Sequence, residues 1–199
     1  MPETNRARRF SLPDLANERA DEAITSFLSG PQHRRGRREP ALGSSAGGNA
    51  FTALETRIAW TEALQRETAR SLRYRRPAAV IVIAGEPTSD TPGANAWLAR
   101  VAGPIAHAIH RGIRETDLAT RTGDARFQVL LPETTETEAM HVAERVVLDC
   151  QVWLQAVRAP VKVRAASAGT ASDSTLDMAL ERALGTMEPL RTAAFADRP

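Results

Sequence analysis

The segment from Asp117 to Leu131 constrains the fold most, because it has the pattern of a β-hairpin. Two short stretches of strand-forming residues, Asp117–Thr122 and Arg126–Leu131, flank the pair Gly123-Asp124. A glycine beside an aspartate between two such stretches is typical of a tight turn between antiparallel strands. Directly before the hairpin lies Arg114-Glu115-Thr116-Asp117, an Arg-x-x-Asp tetrapeptide. We therefore predict a pair of antiparallel strands in the middle of the chain, with a charged loop leading into it.

The hydrophobic periodicity of the rest of the chain predicts an α+β fold, a sheet covered by helices. In the first helix, Leu54, Ile58, Leu64 and Leu72 are expected to share one side. Pro104 predicts a kink in the second helix, and Thr135 is a predicted N-cap of the third. The expected helices are 52–74, 94–112, 134–156 and 176–187, and the expected strands besides the hairpin are 79–83 and 161–168.

Residues 1–50 differ in composition from the rest of the chain. They contain the arginines of 34–38 and a Gly/Ser-rich run at 43–48, a composition that buries little and favours a flexible tail. Within this tail, residues 12–28 carry apolar residues at helical spacing, which predicts a short helix. That helix either docks onto a partner protein or folds back on its own domain. Residues 191–199 are expected to form a C-terminal tail.

Charge and cysteine content exclude several function classes. The net charge is +2 with a pI near 9.3, which is too mild for a dedicated nucleic-acid surface. Cys150 is the only cysteine, so neither an internal disulfide nor a thiolate zinc cluster is expected. The first ten residues have no apolar signal region, and the longest apolar run is Ala78 to Ala84. We therefore expect a cytoplasmic protein without a membrane partner and with no nucleic-acid partner.

Several blocks of residues, in order and at compatible spacing, resemble the GGDEF domain of diguanylate cyclases. The resemblance runs from about Asn49 to Met187, which places the domain at 51–190, and it implies the GGDEF fold, a mostly antiparallel central sheet covered by helices. The matching blocks are Phe51-Thr52-Ala53-Leu54 with Arg57, Ala59 and Trp60; Arg73-Tyr74-Arg75-Arg76-Pro77; Asp117-Leu118-Ala119-Thr120-Arg121; Val129-Leu130-Leu131-Pro132-Glu133-Thr134; and Ala143-Glu144-Arg145.

The resemblance also implies that the catalytic function is lost. The family condenses two GTP molecules into cyclic di-GMP on two metal ions held by carboxylates. The first metal-binding aspartate is matched here by Ala84, although Glu86 matches a second acidic position. The signature loop reads Gly123-Asp124-Ala125-Arg126-Phe127, with Ala125 and Arg126 in place of both acids. The connection after Glu86 is shorter than the family's, and Met187 replaces a phosphate-binding lysine. The resemblance thus predicts no catalytic residues and no bound metal.

The resemblance implies that a second family site, the inhibitory site for cyclic di-GMP, is retained. Its Arg-x-x-Asp motif, five residues before the signature loop, is matched by Arg114 and Asp117, and its second arginine by Arg145. An arginine fork binds guanine O6 and N7 or a phosphate, and a carboxylate accepts from the guanine N1 and N2 hydrogens. The resemblance therefore implies a cyclic di-GMP receptor that relays to a protein partner or to itself by self-association.

Alternatives to this interpretation remain open. About one chance Arg-x-x-Asp is expected in a chain this rich in arginine, and Arg121 with Asp124 forms another. In this alternative, the Arg-x-x-Asp motif has no ligand, and Arg114 and Asp117 form a surface salt bridge that adds little stability. The alternative function is a nucleotide-independent interaction or dimerisation module on a GGDEF scaffold. Residual cyclase activity and nucleic-acid binding by the tail are weaker candidates.

Overall fold

The computed structural model describes residues 54–88, 93–170 and 174–187. The predictions for the tail 1–50, its helix 12–28 and the tail 191–199 lie outside these residues. The described chain alternates helices and strands in the order α1 Arg57–Tyr74, β1 Ala78–Pro87, α2 Ala94–Gly112, β2 Leu118–Gly123, β3 Arg126–Pro132, α3 Glu136–Ala156, β4 Val161–Gly169 and α4 Leu176–Met187. Within this part of the chain, no helix combines the length and the apolar character needed to cross a membrane.

The strands form one four-stranded sheet in the order β2-β3-β1-β4, and all neighbouring strands are antiparallel. β1 is a central strand, and every residue from Ala78 to Gly85 is buried. A strand covered on both faces needs apolar side chains at every position, which explains the continuous apolar run from Ala78 to Ala84. Helices cover both faces of the sheet. The predicted α+β class and the mostly antiparallel sheet are confirmed.

The hairpin turns one residue later than the sequence pattern predicts. Gly123 remains in β2 and pairs with Arg126, so the turn residues are Asp124 and Ala125. The β2–β3 register shifts between Arg121 and Gly123. A bulge of this kind adds one residue to a strand, and glycine is common there because it lacks a side chain.

One face of the sheet packs against α2 and α3. The odd-numbered residues of β1 and β3 point into this core, together with the apolar side of both helices. Phe127, Val129 and Ile109 are fully buried within it. α2 continues through Pro104 to Gly112, so this proline does not end the helix, and the kink remains a prediction. This core positions the end of α2, which leads into Arg114 and Asp117, and the middle of α3, which carries Arg145.

The opposite face packs against α1 and α4. Trp60 and Leu64 of α1 are buried against Val80, Val82 and small residues of α4. The predicted apolar side of α1 is wrong at three of its four positions. Ile58 is 74% and Leu72 is 51% exposed, and Leu54 lies before the helix and packs against the core on the other face of the sheet. The helix begins only at Arg57, after the Thr56 cap. Its buried side includes Glu67 and Ser71, which the periodicity of apolar residues does not reveal.

Candidate functional site

The loop between α2 and β2 closes on itself through Arg114 and Asp117. The backbone N–H of Arg114 donates to Oδ2 of Asp117 at 2.7 Å, and the backbone N–H of Asp117 donates to the carbonyl of Arg114 at 3.1 Å. Two hydrogen bonds between the same two residues make a tight turn of the kind that aspartate favours. Asp117 is buried, and Arg114 is exposed. The loop therefore fixes the carboxylate and leaves the guanidinium at the surface.

The carboxylate of Asp117 is only half satisfied. Its Oδ1 atom is buried and has no hydrogen-bond partner among the described residues. Burial raises the pKa of Asp117 above its usual value, and the Arg114 backbone N–H, the Arg114 charge and the Thr116 hydroxyl oppose that rise. A buried acceptor without a donor costs free energy, typically about 1–3 kcal/mol. Such an atom is a natural partner for an incoming N–H donor.

Arg145 of α3 reaches the same loop. Its guanidinium donates to the carbonyl oxygen of Gly112, the last residue of α2. α3 can pack this close to the end of α2 because residue 112 is a glycine. A Cβ there would lie 2.8 Å from Cγ2 of Val146, the neighbour of Arg145, which is closer than packed atoms come. Gly112 precedes Arg114 by two residues, so the structure brings all three predicted site residues to one loop. The contact of Arg145 is with the last backbone carbonyl of α2, where this loop begins.

The first turn of α3 adds a carboxylate that the sequence pattern did not assign to the site. Thr135 and Glu138 form the capping box at the start of this helix, with the Thr135 N–H donating to Glu138 at 2.8 Å, and the predicted cap is confirmed. The Thr135 backbone N–H, its hydroxyl and the positive charge of Arg114 lower the pKa of Glu138. Arg114 is therefore close enough to the beginning of α3 for its charge to act on Glu138. In the sequence, Glu138 stands out only by its place in the first turn of a predicted helix, where a carboxylate interacts favourably with the helix dipole.

The second Arg-x-x-Asp tetrapeptide has a different geometry. The guanidinium of Arg121 donates to the carbonyls of Gly123 at 2.8 Å and of Asp124 at 2.5 Å, so it braces the hairpin turn. At the first tetrapeptide, Asp117 accepts a hydrogen bond from the backbone N–H of Arg114. The contacts of the described residues do not include the alternative, a salt bridge between the two side chains. The two motifs share a spacing but have different structures.

The residues around Arg114 also have local roles. Arg111 lies 3.9 Å from Asp149 of α3, and both side chains are largely exposed. This exposed ion pair contributes little to stability. The carboxylate of Asp149 offsets part of the positive charge of Arg111 beside the loop.

The positions that match the family's metal ligands lie at the far end of β1. Ala84 and Arg126 are register partners across β1 and β3, so a methyl group faces a guanidinium-bearing residue there. Ala125 is buried, its carbonyl accepts from the Gly85 N–H at 2.8 Å, and its Cβ is 2.9 Å from the position of a Cβ on Gly85. The hairpin tip thus packs directly against the end of β1.

Glu86 is the one carboxylate that matches an acidic position of the family. Its Oε1 lies 3.2 Å from Arg164 and its Oε2 lies 3.4 Å from Lys162. Both oxygens therefore face cations on β4. A methyl group, a guanidinium and one neutralised carboxylate do not fit two divalent metal ions, which need several anionic oxygen ligands.

Comparison with known structures agrees with this architecture. The chain superimposes on the diguanylate cyclase SiaD of Pseudomonas aeruginosa, solved in complex with its activator SiaC, with a TM-score of 0.54, 26% identity and coverage of 69% of this chain and 55% of SiaD. The fold is that of a GGDEF domain. The GGDEF domain of YfiN (TpbB) from the same organism gives a TM-score of 0.54 at 24% identity, over 67% of this chain and 88% of that one.

The GGDEF domain of DgcB from Caulobacter crescentus, in complex with cyclic di-GMP, gives a TM-score of 0.56 at 19% identity, over 73% of this chain and 90% of that domain. The chain spans little more than half the length of SiaD. No protein-family model and no curated protein matches the sequence. The likeness therefore establishes the GGDEF fold.

Proposed function

We propose that this GGDEF domain is a cyclic di-GMP receptor without cyclase activity, which binds the nucleotide through Arg114, Asp117 and Arg145 and relays the bound state to a protein partner. The observation that carries the proposal is the half-satisfied carboxylate of Asp117, held by the Arg114 backbone in a loop that Arg145 also contacts. The spacing of Arg114 and Asp117 alone does not distinguish this motif from a chance Arg-x-x-Asp in an arginine-rich chain.

The chemistry of guanine fits this loop. The N1 and N2 hydrogens of guanine are donors, and Oδ1 of Asp117 is an acceptor that lacks one among the described residues. Since Oδ1 is covered, the ligand reaches it by moving the exposed loop residues Arg114, Glu115 and Thr116. The Arg114 fork is then free to take guanine O6 and N7 or a phosphate. The Asp117 carboxylate and the Arg114 guanidinium therefore each have a complementary group on the ligand.

Arg145 supplies the second positive charge. In the described structure its guanidinium is bound to the Gly112 carbonyl, which is a weaker acceptor than a phosphate. A cyclic dinucleotide in the loop offers two phosphates. Arg145 can bind one of them in place of the Gly112 carbonyl, or bind the phosphate and the carbonyl together. That exchange links ligand binding to the end of α2.

The lack of cyclase activity is supported by the end of β1. Ala84 and Arg126 face each other where carboxylates would hold metal, and Glu86 is neutralised by Lys162 and Arg164. Loss of a preorganised electrostatic group typically costs about 10²-fold or more in rate. We therefore expect no measurable conversion of GTP with Mg²⁺ or Mn²⁺, and detectable cyclic di-GMP product would overturn this part of the proposal.

Isothermal titration of the full chain with cyclic di-GMP tests the receptor function. Arg114→Ala and Asp117→Asn should weaken binding by about tenfold or more, because each removes a charged hydrogen-bonding partner of the ligand. Arg121→Ala is the matched control, since it alters the other Arg-x-x-Asp motif, and it should bind as the unaltered chain does. Absence of heat at high micromolar ligand, or equal affinity in Arg114→Ala, would sink the proposal.

Exposed apolar residues favour the alternative of a nucleotide-independent interaction module. Leu148 and Val152 of α3 are 60% and 72% exposed and lie four residues apart, so they share one side of the helix. A partner whose binding is lost in Leu148→Glu, yet is unchanged by cyclic di-GMP and by Arg114→Ala, would favour this function over the receptor.

A further inference from the structure

A second side of α1, which faces away from the sheet, also carries large apolar residues. Ile58 and Leu72 are exposed there, whereas Trp60 and Leu64 are buried on the side that packs against the sheet. Ile58, Gln65 and Leu72 follow one another at intervals of seven residues, which is close to two helical turns, so they lie in one row along the helix. We call the following residues the outer row of α1: Ile58, Thr61, Gln65, Ala69 and Leu72.

The middle of the outer row leaves room for a second helix. Thr61, Gln65 and Ala69 are all exposed. Because Thr61 and Ala69 are small, another helix can come close to the backbone of α1 at these positions. The hydroxyl of Thr61 donates to the carbonyl of Arg57 at 2.8 Å, so it already has a hydrogen-bond partner within the helix. The outer row therefore offers apolar contacts at both ends and one amide, that of Gln65, at its centre.

The outer row is symmetric about Gln65. Ile58 lies seven residues before Gln65 and Leu72 lies seven residues after it. Thr61 and Ala69 lie four residues before and four residues after the same centre. When two such helices run antiparallel about a two-fold axis at residue 65, each Ile58 meets the Leu72 of the second copy. The two Gln65 side chains meet at the axis, where each amide supplies both a donor and an acceptor to the other. The outer row is therefore complementary to a second copy of itself.

The charges beside the outer row have the same complementarity. Glu62 and Arg66 lie one turn apart on one side of the row, 3.9 Å from each other, and both side chains are exposed. Glu62 lies three residues before Gln65 and Arg66 lies one residue after it. In the antiparallel pair, each Glu62 is therefore about two residues, or ~3 Å along the helix axis, from the Arg66 of the second copy. In a parallel pair, the charged sides of the two copies would face in opposite directions and this contact would be lost. The charges thus favour the antiparallel arrangement.

The length of the outer row sets the expected strength of this contact. From Ile58 to Leu72 the helix rises by ~21 Å, so the contact is that of one short helix pair. Stable dimers bury roughly 1,200–2,000 Å², and a single helix pair of this length supplies only part of that area, so the association should be weak and reversible. We propose that α1 binds α1 of a second copy of this chain, antiparallel, about a two-fold axis at Gln65. This proposal goes beyond the nucleotide site and stands without it.

Charge reversal tests whether the partner is a second copy. Sedimentation velocity follows the full chain without cyclic di-GMP at up to about 0.5 mM, where a weak dimer is populated. Glu62→Arg brings four arginines together at the interface and Arg66→Glu brings four carboxylates together, so each variant alone should associate about tenfold more weakly or less. An equimolar mixture of the two variants restores opposite charges and should associate again.

Two further variants serve as controls. Glu144→Arg, at an exposed position of α3, makes the same change of net charge as Glu62→Arg and should associate as the unaltered chain does. Arg114→Ala should also leave the association unchanged, which separates this outcome from that of the nucleotide proposal.

A cysteine at the two-fold axis reports the geometry directly. Gln65→Cys should form a disulfide between two copies under mild oxidation, because residue 65 of one copy meets residue 65 of the other. Cys150 is buried and does not compete, and Glu144→Cys should give no such product. A mixture of the charge variants that associates no better than either alone, or a chain that stays monomeric at every concentration, would overturn the proposal. Cross-linking of α1 to residues 1–50 of the same chain would overturn it as well, since the outer row would then bind the chain's own tail.

Discussion

Arg145 of α3 donates a hydrogen bond to the backbone carbonyl of Gly112, the C-terminal residue of α2. The last carbonyls of a helix have no partner within the helix, and a positive charge there also interacts favourably with the helix dipole. The contact therefore stabilises the end of α2 and orients the loop that carries Arg114 and Asp117. A residue proposed to bind ligand thus also has a structural role, and its variants must be tested for both.

Arg145→Ala should lower the free energy of unfolding by about 1 kcal/mol, because it removes a charged hydrogen bond at a partly exposed site. Urea unfolding followed by circular dichroism measures this change. Arg66→Ala is the control, since the Arg66 side chain is exposed and lies 3.9 Å from Glu62, and it should change stability by less than about 0.5 kcal/mol. Equal stability of Arg145→Ala and the unaltered chain would show that the Gly112 contact is not formed in solution.

The overall fold could be predicted from the sequence because its elements have strong local signals. The central strand is an unbroken apolar run, Thr135 begins a helix that ends near Ala156, and the hairpin has turn residues at its centre. The errors arose where local patterns are incomplete. The bulge at Gly123 depends on pairing with β3, and the buried side of α1 includes Glu67 and Ser71, whose burial depends on tertiary packing.

Gly112→Ala should destabilise the chain by about 1–3 kcal/mol, because the new methyl group would overlap Val146 Cγ2 and force α2 and α3 apart. Gly103→Ala is the matched control in the same helix, since a Cβ there has no atom within 4 Å; it should be neutral or stabilising by up to about 1 kcal/mol. Removing the obstacle in Gly112→Ala/Val146→Ala should make the two substitutions less than additive. Full additivity in thermal unfolding would contradict this packing.

The candidate site was less predictable than the fold. The spacing of Arg114 and Asp117 is shared by Arg121 and Asp124, yet only the first pair closes a loop and leaves a buried acceptor unpaired among the described residues. What separates the two is the position of each motif relative to α2 and the hairpin. The contribution of Glu138 and the backbone contact of Arg145 depend on how α3 packs against that loop, which no single-sequence pattern encodes.

Cys150 should resist alkylation in the folded chain. The thiol is buried, and burial together with the nearby charge of Asp149 raises its pKa to about 12. Because the thiolate is the reactive form, iodoacetamide at mildly alkaline pH should label Cys150 only as fast as the chain unfolds. Mass spectrometry follows the labelling, and the same reaction in concentrated guanidinium chloride supplies the reference rate. Comparable rates in the two conditions would mean that α3 does not bury this thiol.

The raised pKa of Asp117 gives stability a specific pH dependence. Burial lifts the folded-state pKa above the ordinary value of 3.8, so the folded chain binds this proton more tightly than the unfolded chain does. The contribution of Asp117 to stability is therefore most favourable below pH 3.8 and is lost as the pH rises through the folded-state pKa. Asp117→Asn cannot ionise, so its stability relative to the unaltered chain should increase across that window and then level off.

The pKa of the Asp117 carboxyl should also respond to the proposed ligand. Guanine N–H donors at Oδ1 favour the ionised form, so cyclic di-GMP should lower the pKa of Asp117 and bind more weakly as the pH falls through it. Titration of the Asp117 side-chain carboxyl by NMR, with and without ligand, measures both values. If the relative stability of Asp117→Asn instead falls as the pH rises, the folded-state pKa lies below 3.8 and the buried, half-satisfied carboxylate is not present in solution. If the ligand binds but leaves that pKa unchanged, guanine does not pair with Oδ1, and the recognition must rest on the two arginines.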